Sequence, residues 1–215
     1  MEITNLSYRH HKKAPLFFDG MSFHLEKGRL HALHGKNGSG KTVLLQVLYG
    51  KVPEEAVLEG EVTGNEAIAL VNQRFDQMIA DQFSFEENMR FALLPKHPSP
   101  FSFLKATSLY RELLTIFSID IHRPVHTLSG GQRQILSLLM VLQKNKKILL
   151  LDEPTAALDE ENAKLVFAFL QELAYRGFTL LVVCHDRELV SEYATGVHFY
   201  LDKRPDGLRV LHPGG

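Results

Sequence analysis

Residues 35–42 combine glycines, a lysine and a hydroxyl group in an order that can wrap a phosphate chain. They match G-x-x-x-x-G-K-[ST] and comprise Gly35, Lys36, Asn37, Gly38, Ser39, Gly40, Lys41 and Thr42. A glycine loop between a strand and a helix turns several backbone N–H groups toward one point, and the helix dipole favours an anion there. Lys41 adds a positive charge for the β- and γ-phosphates, and the Thr42 hydroxyl can ligate Mg²⁺. The pattern therefore predicts a nucleotide-binding loop.

An acidic pair, Asp152 and Glu153, directly follows the apolar run 148–151. One carboxylate can hold a metal ion through water, and its neighbour can orient or deprotonate an attacking water molecule. Acidic pairs at strand ends are also common as helix caps, so the pair by itself does not indicate catalysis. In a chain that also has a phosphate-binding loop, the catalytic interpretation is the favoured one.

The segment Leu128-Ser129-Gly130-Gly131-Gln132 predicts a helix start with accessible backbone donors. Ser129 and Gln132 fit the capping-box template, in which each side chain bonds the other residue's backbone N–H. The two glycines leave the N–H groups of the first turn open to an anion. Because the phosphate loop already has its own helix, we expect that anion to be a nucleotide on another copy of the chain.

Two further polar residues complete the candidate site. Gln73 comes shortly after the apolar run 68–71, and His185 shortly after the run 180–183. An imidazole at this place can contact a terminal phosphate, although a histidine after a strand is often structural. Gln73 has the weaker signal when taken alone, and Cys184 is expected to be a small buried apolar residue.

Four continuous apolar runs, at 30–33, 68–71, 148–151 and 180–183, predict strands buried on both faces of a parallel sheet. In open α/β sheets, ligands bind outside the carboxyl ends of the strands. These runs lead into the glycine loop, Gln73, the acidic pair and His185. We therefore expect all four groups to meet at one edge of the sheet.

The remaining pattern predicts an α/β fold with two additions to a P-loop core. The alternation of Met21, Phe23 and Leu25 with polar residues predicts an antiparallel part near the N-terminus. Residues 197–211 predict a closing hairpin, and helices are predicted for 41–49 and after Asp159. Residues 75–127 predict an inserted helical subdomain, with a capping box at 84–87 and a second helical stretch at 104–117. Its aromatic residues are interpreted either as core or as a docking surface.

Composition narrows the function classes. The chain has 215 residues, 45% of them hydrophobic, and a net charge of −1, so bulk electrostatics predict no nucleic-acid partner and no binding to a membrane surface. The single cysteine allows no intrachain disulfide. No apolar run approaches the roughly 20 residues that span a bilayer. We also expect no signal peptide and no further domain after the hairpin. Work at a membrane would require another chain to supply the spanning part.

These motifs together resemble the ATP-binding subunit of an ATP-binding-cassette (ABC) transporter, over nearly the whole chain. The matching segments are the Walker A loop at 35–42, the Q-loop glutamine at Gln73, the LSGGQ signature at 128–132, Walker B with its glutamate at 148–153, the D-loop at 155–159 and the switch histidine at His185. The resemblance implies a single domain, with a RecA-like core at 1–74 and 128–215 and a helical subdomain at 75–127.

The resemblance also implies partners and roles. ATP and Mg²⁺ would bind between two cassettes in a head-to-tail homodimer or heterodimer, with Ser129 and Gly131 reaching the partner's γ-phosphate. Glu153 would be the general base, aided by His185 and Gln73. Mg²⁺ would be served by Thr42, Asp152 and Gln73. Integral membrane permease subunits would dock at the segment after Gln73 and hold the protein at the cytoplasmic side of a membrane.

One position departs from the family pattern. The family usually stacks an aromatic residue on adenine shortly after the first strand, and the matching place here falls at His10, with Tyr8 and His11 nearby. We favour His10 over Tyr8. The preference for ATP over GTP stays open.

Three functions compete at this point. The favoured one is the ATPase of a separate-subunit, importer-like transporter. The alternative is a soluble cassette outside transport, such as an iron–sulfur assembly partner. Two other kinds of soluble cassette fit less well. The span from Thr42 to Ser129 is too short for the coiled coils of repair ATPases, and each motif occurs once, whereas most translation ATPases carry two cassettes in one chain. The third is a cassette that binds ATP but turns over poorly, against which the intact Glu153, His185 and signature argue.

Overall fold

The computed structural model describes residues 1–64, 67–71, 79–93, 108–142 and 146–214, except for the side chains of residues 93 and 108–111. Within these ranges the strands are β1 (Glu2–Arg9), β2 (Phe18–His24), β3 (Leu30–His34), β4 (Val57–Thr63), β5 (Ile68–Val71), β6 (Ile148–Asp152), β7 (Thr179–Val183), β8 (His198–Lys203) and β9 (Arg209–Pro213). The helices are α1 (Lys41–Tyr49), α2 (Phe85–Leu93), α3 (Ser108–Ile116), α4 (Gly130–Leu142), α5 (Glu160–Tyr175) and α6 (Arg187–Tyr193). A 3₁₀ turn covers Val125–Thr127.

All of these strands form one sheet in the order β4-β1-β2-β9-β8-β3-β7-β6-β5. Strands β3, β7, β6 and β5, which are the four predicted apolar runs, are neighbours and run parallel. Their carboxyl ends therefore lie at one edge of the sheet, as the sequence predicts. The predicted α/β class, with a mostly parallel sheet beside an antiparallel part, is confirmed.

The apolar runs are continuous because the central strands are covered on both faces. Successive leucines of β6 point to opposite sides: Leu149 and Leu151 pack in a core that includes α4 and α5. Leu150 packs in a second core with Leu44 and Leu48 of α1. Burial on both faces removes the alternation of polar and apolar residues that a half-exposed strand shows.

The additions to the core also match their patterns. Strand β2 pairs antiparallel with β1, and Met21 and Leu25 are buried. Strands β8 and β9 form the predicted antiparallel hairpin. The turn between them has Gly207 at φ +90°, a conformation that glycine adopts without steric cost.

The helical insertion is described in part. The predicted capping box is present before α2, because Glu87 Oε2 accepts from the Ser84 backbone N–H at 2.7 Å and the Glu87 N–H donates to Ser84 Oγ at 3.2 Å. In α3, Leu113 is fully buried, and Phe117 beyond it packs edge-on against Phe169 of α5 at 5.3 Å. Residues 94–107, which include the start of the second predicted helix, lie outside the described residues. The boundaries of the subdomain stay a prediction. Within the described ranges, no helix combines the length and apolarity needed to cross a bilayer.

Candidate functional site

The glycine loop joins β3 to α1, as predicted, and close packing requires glycine at positions 35 and 40. Gly40 precedes the first residue of α1 at φ +102°, and a Cβ there would lie 2.8 Å from Phe17 Cε1. A Cβ on Gly35 would lie 2.5 Å from the Leu201 carbonyl oxygen and 2.6 Å from Ser39 Oγ. A larger residue would push the loop away from the hairpin at position 35 or from the Phe17 ring at position 40.

Lys41 is buried at the base of this loop. Its ammonium group donates to the carbonyl oxygens of Gly35, at 2.7 Å, and Lys36, at 3.2 Å. These charge-assisted bonds close the loop into a ring around the ammonium group. The cation is thus held at the start of α1, where the helix dipole also favours a bound anion.

Thr42 and Asp152 meet although 110 residues separate them in the chain. The Thr42 hydroxyl donates to Asp152 Oδ2 at 2.8 Å. Burial raises the pKa of the Asp152 carboxyl, and the bond from Thr42 and the charge of Lys41 oppose that rise. Two adjacent hard oxygens suit Mg²⁺, which typically takes one or two protein carboxylates together with substrate phosphates. The described residues contain no cluster of three or more His, Cys, Asp or Glu side chains that could hold a metal ion on its own.

Glu153 has an unusual backbone conformation that aims its carboxylate at His185. Its φ is +52°, in the left-handed region, and its N–H donates to the Val183 carbonyl oxygen at 3.0 Å. Its Oε1 lies 2.7 Å from His185 Nε2. A left-handed conformation costs a residue with a Cβ about 1–2 kcal/mol, and such strain concentrates at functional sites.

The signature segment has the predicted capping geometry and one contact that the sequence did not indicate. Ser129 and Gln132 bond each other's backbone N–H, each at 3.2 Å. The Gly131 N–H, which was expected to be accessible, donates to Asn162 Oδ1 at 3.0 Å. Asn162 is held in turn by the carboxylate of Asp159 at 2.8–2.9 Å. Because α4 packs against α5, the partner of Gly131 comes from a separate part of the chain.

One cleft of about 670 Å³ brings the phosphate loop and the catalytic candidates together. Its walls contain Glu153 and His185, residues 37, 38 and 40–43 of the loop and the start of α1, and also Phe17 and Arg209. Sequence reasoning missed Phe17 and Arg209, since nothing in the local pattern at either position indicates a ligand. His10, the predicted adenine-stacking residue, packs edge-on against Phe17 at 4.9 Å, and stacking on adenine stays a prediction. Gln73 lies outside the described residues.

Comparisons with known proteins agree with the arrangement of the site. A family model described as "ABC transporter" matches residues 18–156. The probable iron chelatin transport ATP-binding protein of Helicobacter pylori is 31% identical over 217 residues, which cover 95% of this chain and 84% of that protein. A putative ABC transporter ATP-binding protein of Onion yellows phytoplasma is 30% identical over 205 residues, and the chain spans only 34% of that relative's length.

Solved structures agree on the fold. The structure of CbiO1 from Clostridium perfringens, part of the ABC transporter complex CbiONQ, superposes on 99% of this chain and 87% of its own, with a TM-score of 0.75 and 23% identity. Another solved ATP-binding cassette, a dimer in a post-hydrolysis state bound to ADP and phosphate, superposes on 99% of this chain and 97% of its own, with a TM-score of 0.65 and 22% identity. The chain therefore belongs to the ABC transporter family and is one of its ATP-binding cassettes, an ATPase.

Proposed function

We propose that this cassette hydrolyses ATP as one of a pair and thereby drives transport through separate integral membrane permease subunits at the cytoplasmic side of a membrane. The observation that carries the proposal is the cleft in which Lys41, Glu153 and His185 face one space. An importer-like assembly is favoured because the Helicobacter relative is named as an iron chelatin transport protein and CbiO1 as part of the CbiONQ complex. No feature of the described residues favours the soluble alternative.

In the proposed reaction, Glu153 takes a proton from the water that attacks the γ-phosphorus, and ADP and phosphate are released. His185 orients that carboxylate and contacts the γ-phosphate. Lys41 and the loop amides hold the β- and γ-phosphates, so that positioning and charge stabilisation supply most of the rate enhancement. A positioned general base typically contributes 10²–10⁴-fold to such a reaction.

Thr42 and Asp152 are the proposed Mg²⁺ ligands, together with Gln73. Their oxygens already lie 2.8 Å apart, and a bound ion would take a lone pair from each of them, while the Thr42 hydroxyl would keep its proton but no longer donate it to Asp152. When bound, Mg²⁺ would neutralise part of the negative charge on the phosphate oxygens during hydrolysis. Because burial raises the pKa of Asp152, its carboxyl group loses its proton, and so becomes available to the ion, at a higher pH than an exposed aspartate would.

The second cassette of the pair would contribute its signature segment. Ser129 is exposed at the start of α4, where the helix dipole favours an anion. The Gly131 N–H can donate to the partner's γ-phosphate only after its bond to Asn162 opens. ATP would close the dimer because it binds more tightly to the closed arrangement than to the open one, and hydrolysis would allow the dimer to open again.

An exposed aromatic pair supports a permease-binding surface on the helical region. Phe83 and Phe91 are 40% and 51% exposed, and their rings stack at 5.2 Å. Phe85 between them in sequence is fully buried, so it belongs to the core. Exposed apolar groups that are clustered in this way are typical of protein-binding surfaces.

The deciding experiment is size-exclusion chromatography of Glu153→Gln with and without Mg-ATP. The amide has nearly the same size but accepts no proton, so we expect ATP binding to persist, hydrolysis to stop and the protein to shift from monomer to dimer. Glu161→Gln, an exposed change on α5, is the matched control and should behave as wild type. Wild-type turnover in Glu153→Gln would remove Glu153 from the mechanism. Copurification with integral membrane proteins would separate the transport proposal from the soluble alternative.

A further inference from the structure

Arg209 and Phe17 form a wall of the nucleotide cleft that none of the predicted motifs includes. The guanidinium carbon of Arg209 lies 3.7 Å from the centre of the Phe17 ring, in a cation–π contact. The backbone fixes this pair as well, because the Arg209 N–H donates to the Phe17 carbonyl oxygen at 3.0 Å where β9 meets β2. The arginine is therefore held in place by two strands and by the ring beneath it.

The guanidinium group of Arg209 has an N–H donor without a hydrogen-bond partner in the part of the chain that the structure describes. One N–H bond goes to the Gly207 carbonyl oxygen, while Nε is buried with no hydrogen-bond partner among the described residues. None of the described carboxylates forms an ion pair with Arg209. Burial lowers the pKa of Arg209. A half-buried cation with an unpaired donor is costly unless an acceptor reaches it, and a guanidinium group suits phosphate oxygens above other acceptors.

The order of strands in the sheet indicates which end of a bound nucleotide would reach Arg209. The phosphate loop follows β3 at the middle of the sheet. Glu153 and His185 follow β6 and β7 on one side of β3, whereas Phe17 and Arg209 adjoin β2 and β9 on the other side. A triphosphate whose γ-phosphate faces Glu153 therefore has its nucleoside end toward Arg209.

Contact between this wall and the loop is direct. A Cβ on Gly40 would lie 2.8 Å from the Phe17 ring and 3.7 Å from Arg209 Cγ. An anion on the amides at the start of α1 is therefore close to Arg209, which lines the same cleft.

We propose that Arg209, held against the Phe17 ring, donates to a phosphate on the nucleoside side of the bound nucleotide, one that ATP and ADP share. This inference rests on the proposed nucleotide site. Phe17 acts as a positioning residue, since it orients the guanidinium plane without touching the phosphate. The C-terminal hairpin thereby becomes part of the nucleotide site.

The test is a set of dissociation constants for ATP, ADP and GTP, measured by equilibrium fluorescence titration on Arg209→Gln. A charge-assisted bond is worth about 1.5–3 kcal/mol, so we expect a loss of about 10- to 150-fold, by the same factor for all three nucleotides. Arg204→Gln, on the same hairpin and outside the cleft wall, is the matched control and should bind within about twofold of wild type. Arg209→Lys keeps the charge but loses the planar fork, and its affinity should be intermediate.

Phe17→Leu tests the positioning role. We expect a smaller loss than for Arg209→Gln, and no additional loss when the two changes are combined, because Phe17 acts only through the arginine. Additive losses in the double variant would show that Phe17 contacts the nucleotide itself and would overturn its role here.

Three results would overturn the assignment of Arg209. The first is unchanged affinity in Arg209→Gln, the second is a loss for ATP without a loss for ADP, and the third is a factor that differs between ATP and GTP. Lys41→Ala separates this inference from the proposed function. If wild type binds nucleotide and Lys41→Ala does not, the proposed nucleotide site is supported, whatever the result for Arg209. If Lys41→Ala binds nucleotide normally, the proposed nucleotide site itself is wrong. Unfolding in urea shows whether each variant is folded.

Discussion

His185 Nε2 lies 2.7 Å from Glu153 Oε1, although the two residues are 32 positions apart in the chain. Strand register explains the contact. Asp152 at the end of β6 pairs with Val183 at the end of β7, so the residues that follow the two strands emerge side by side. The left-handed backbone of Glu153 then turns its carboxylate toward the imidazole.

His185→Ala should slow hydrolysis far more than it weakens binding. Without the imidazole, the Glu153 carboxylate loses its orienting partner, so we expect kcat to fall by about 10²-fold or more, while the dissociation constant for ATP changes by less than about threefold. Single-turnover hydrolysis and a separate ATP titration measure the two effects. His122→Ala, an exposed histidine outside the cleft wall, is the control. A large loss of affinity with unchanged kcat would assign His185 to binding instead.

Glycine should stabilise position 153 relative to alanine. Both Glu153→Gly and Glu153→Ala remove the carboxylate. Only glycine adopts φ +52° without strain, because it has no Cβ to clash with the following carbonyl oxygen. We expect the free energy of unfolding of the glycine variant to be higher by about 1 kcal/mol, which corresponds to about 2–4 °C in Tm for a domain of this size. Urea denaturation checks this.

The same pair of substitutions at Lys164, an exposed position in the interior of helix α5, provides the control for the prediction at position 153. There the order should reverse, because glycine costs about 1 kcal/mol more than alanine in a helix interior. Equal stabilities at position 153 would contradict the role of backbone strain.

Gly131→Ala should destabilise the protein more than Gly130→Ala. A Cβ at 131 would lie 2.9 Å from Asn162 Oδ1 and 3.0 Å from the Asn162 carbonyl oxygen, and that backbone atom belongs to a rigid helix. At 130 the Cβ would meet only the end of the Leu158 side chain, at 2.9 Å, which can rotate away. We expect Gly131→Ala to lose about 1–3 kcal/mol and Gly130→Ala to stay within about 0.5 kcal/mol of wild type. Thermal unfolding distinguishes them, and equal losses would contradict the packing of α4 on α5 at this point.

His31 should make the stability of the fold depend on pH in the acid range. It is fully buried, its Nδ1 accepts from the Val197 N–H at 3.0 Å, and its Nε2–H therefore donates to the Glu26 carbonyl oxygen at 3.1 Å. Burial lowers the pKa of His31 below its usual 6.5. Between 6.5 and that lower value the unfolded chain binds a proton that the folded chain does not, so stability falls as the pH falls through this window.

The variant His31→Gln isolates this contribution. The contribution of His31 is up to about 1.4 kcal/mol per pH unit within the window, so the variant should show a shallower dependence between pH 6.5 and 5.5. It should also be less stable at pH 7.5, since it disrupts two buried hydrogen bonds. Urea unfolding across this range provides the measurement, and the interval from pH 7.5 to 8.5, where His31 is neutral in both states, is the internal control. Identical slopes in variant and wild type below pH 6.5 would contradict the assignment.

Much of the site was predictable because its determinants are local. The hydrogen bonds that shape the loop 35–42 and the capping box of Ser129 and Gln132 join residues at most six positions apart, so the order of residues in the sequence largely specifies their geometry. Helix α1 has the predicted bounds for the same reason. The parallel strands were predictable because burial on both faces leaves a continuous apolar run.

The sequence alone thus determined the loop, the acidic pair, the signature and the central strands. Only the tertiary structure decided which distant groups meet: Thr42 with Asp152, Gly131 with Asn162, and Phe17 with Arg209. Each of these contacts depends on strand order or helix packing over at least 31 residues of chain. No local pattern encodes such contacts, because hydrophobic burial aligns whole strands and helices and the polar side chains at their ends meet as a consequence.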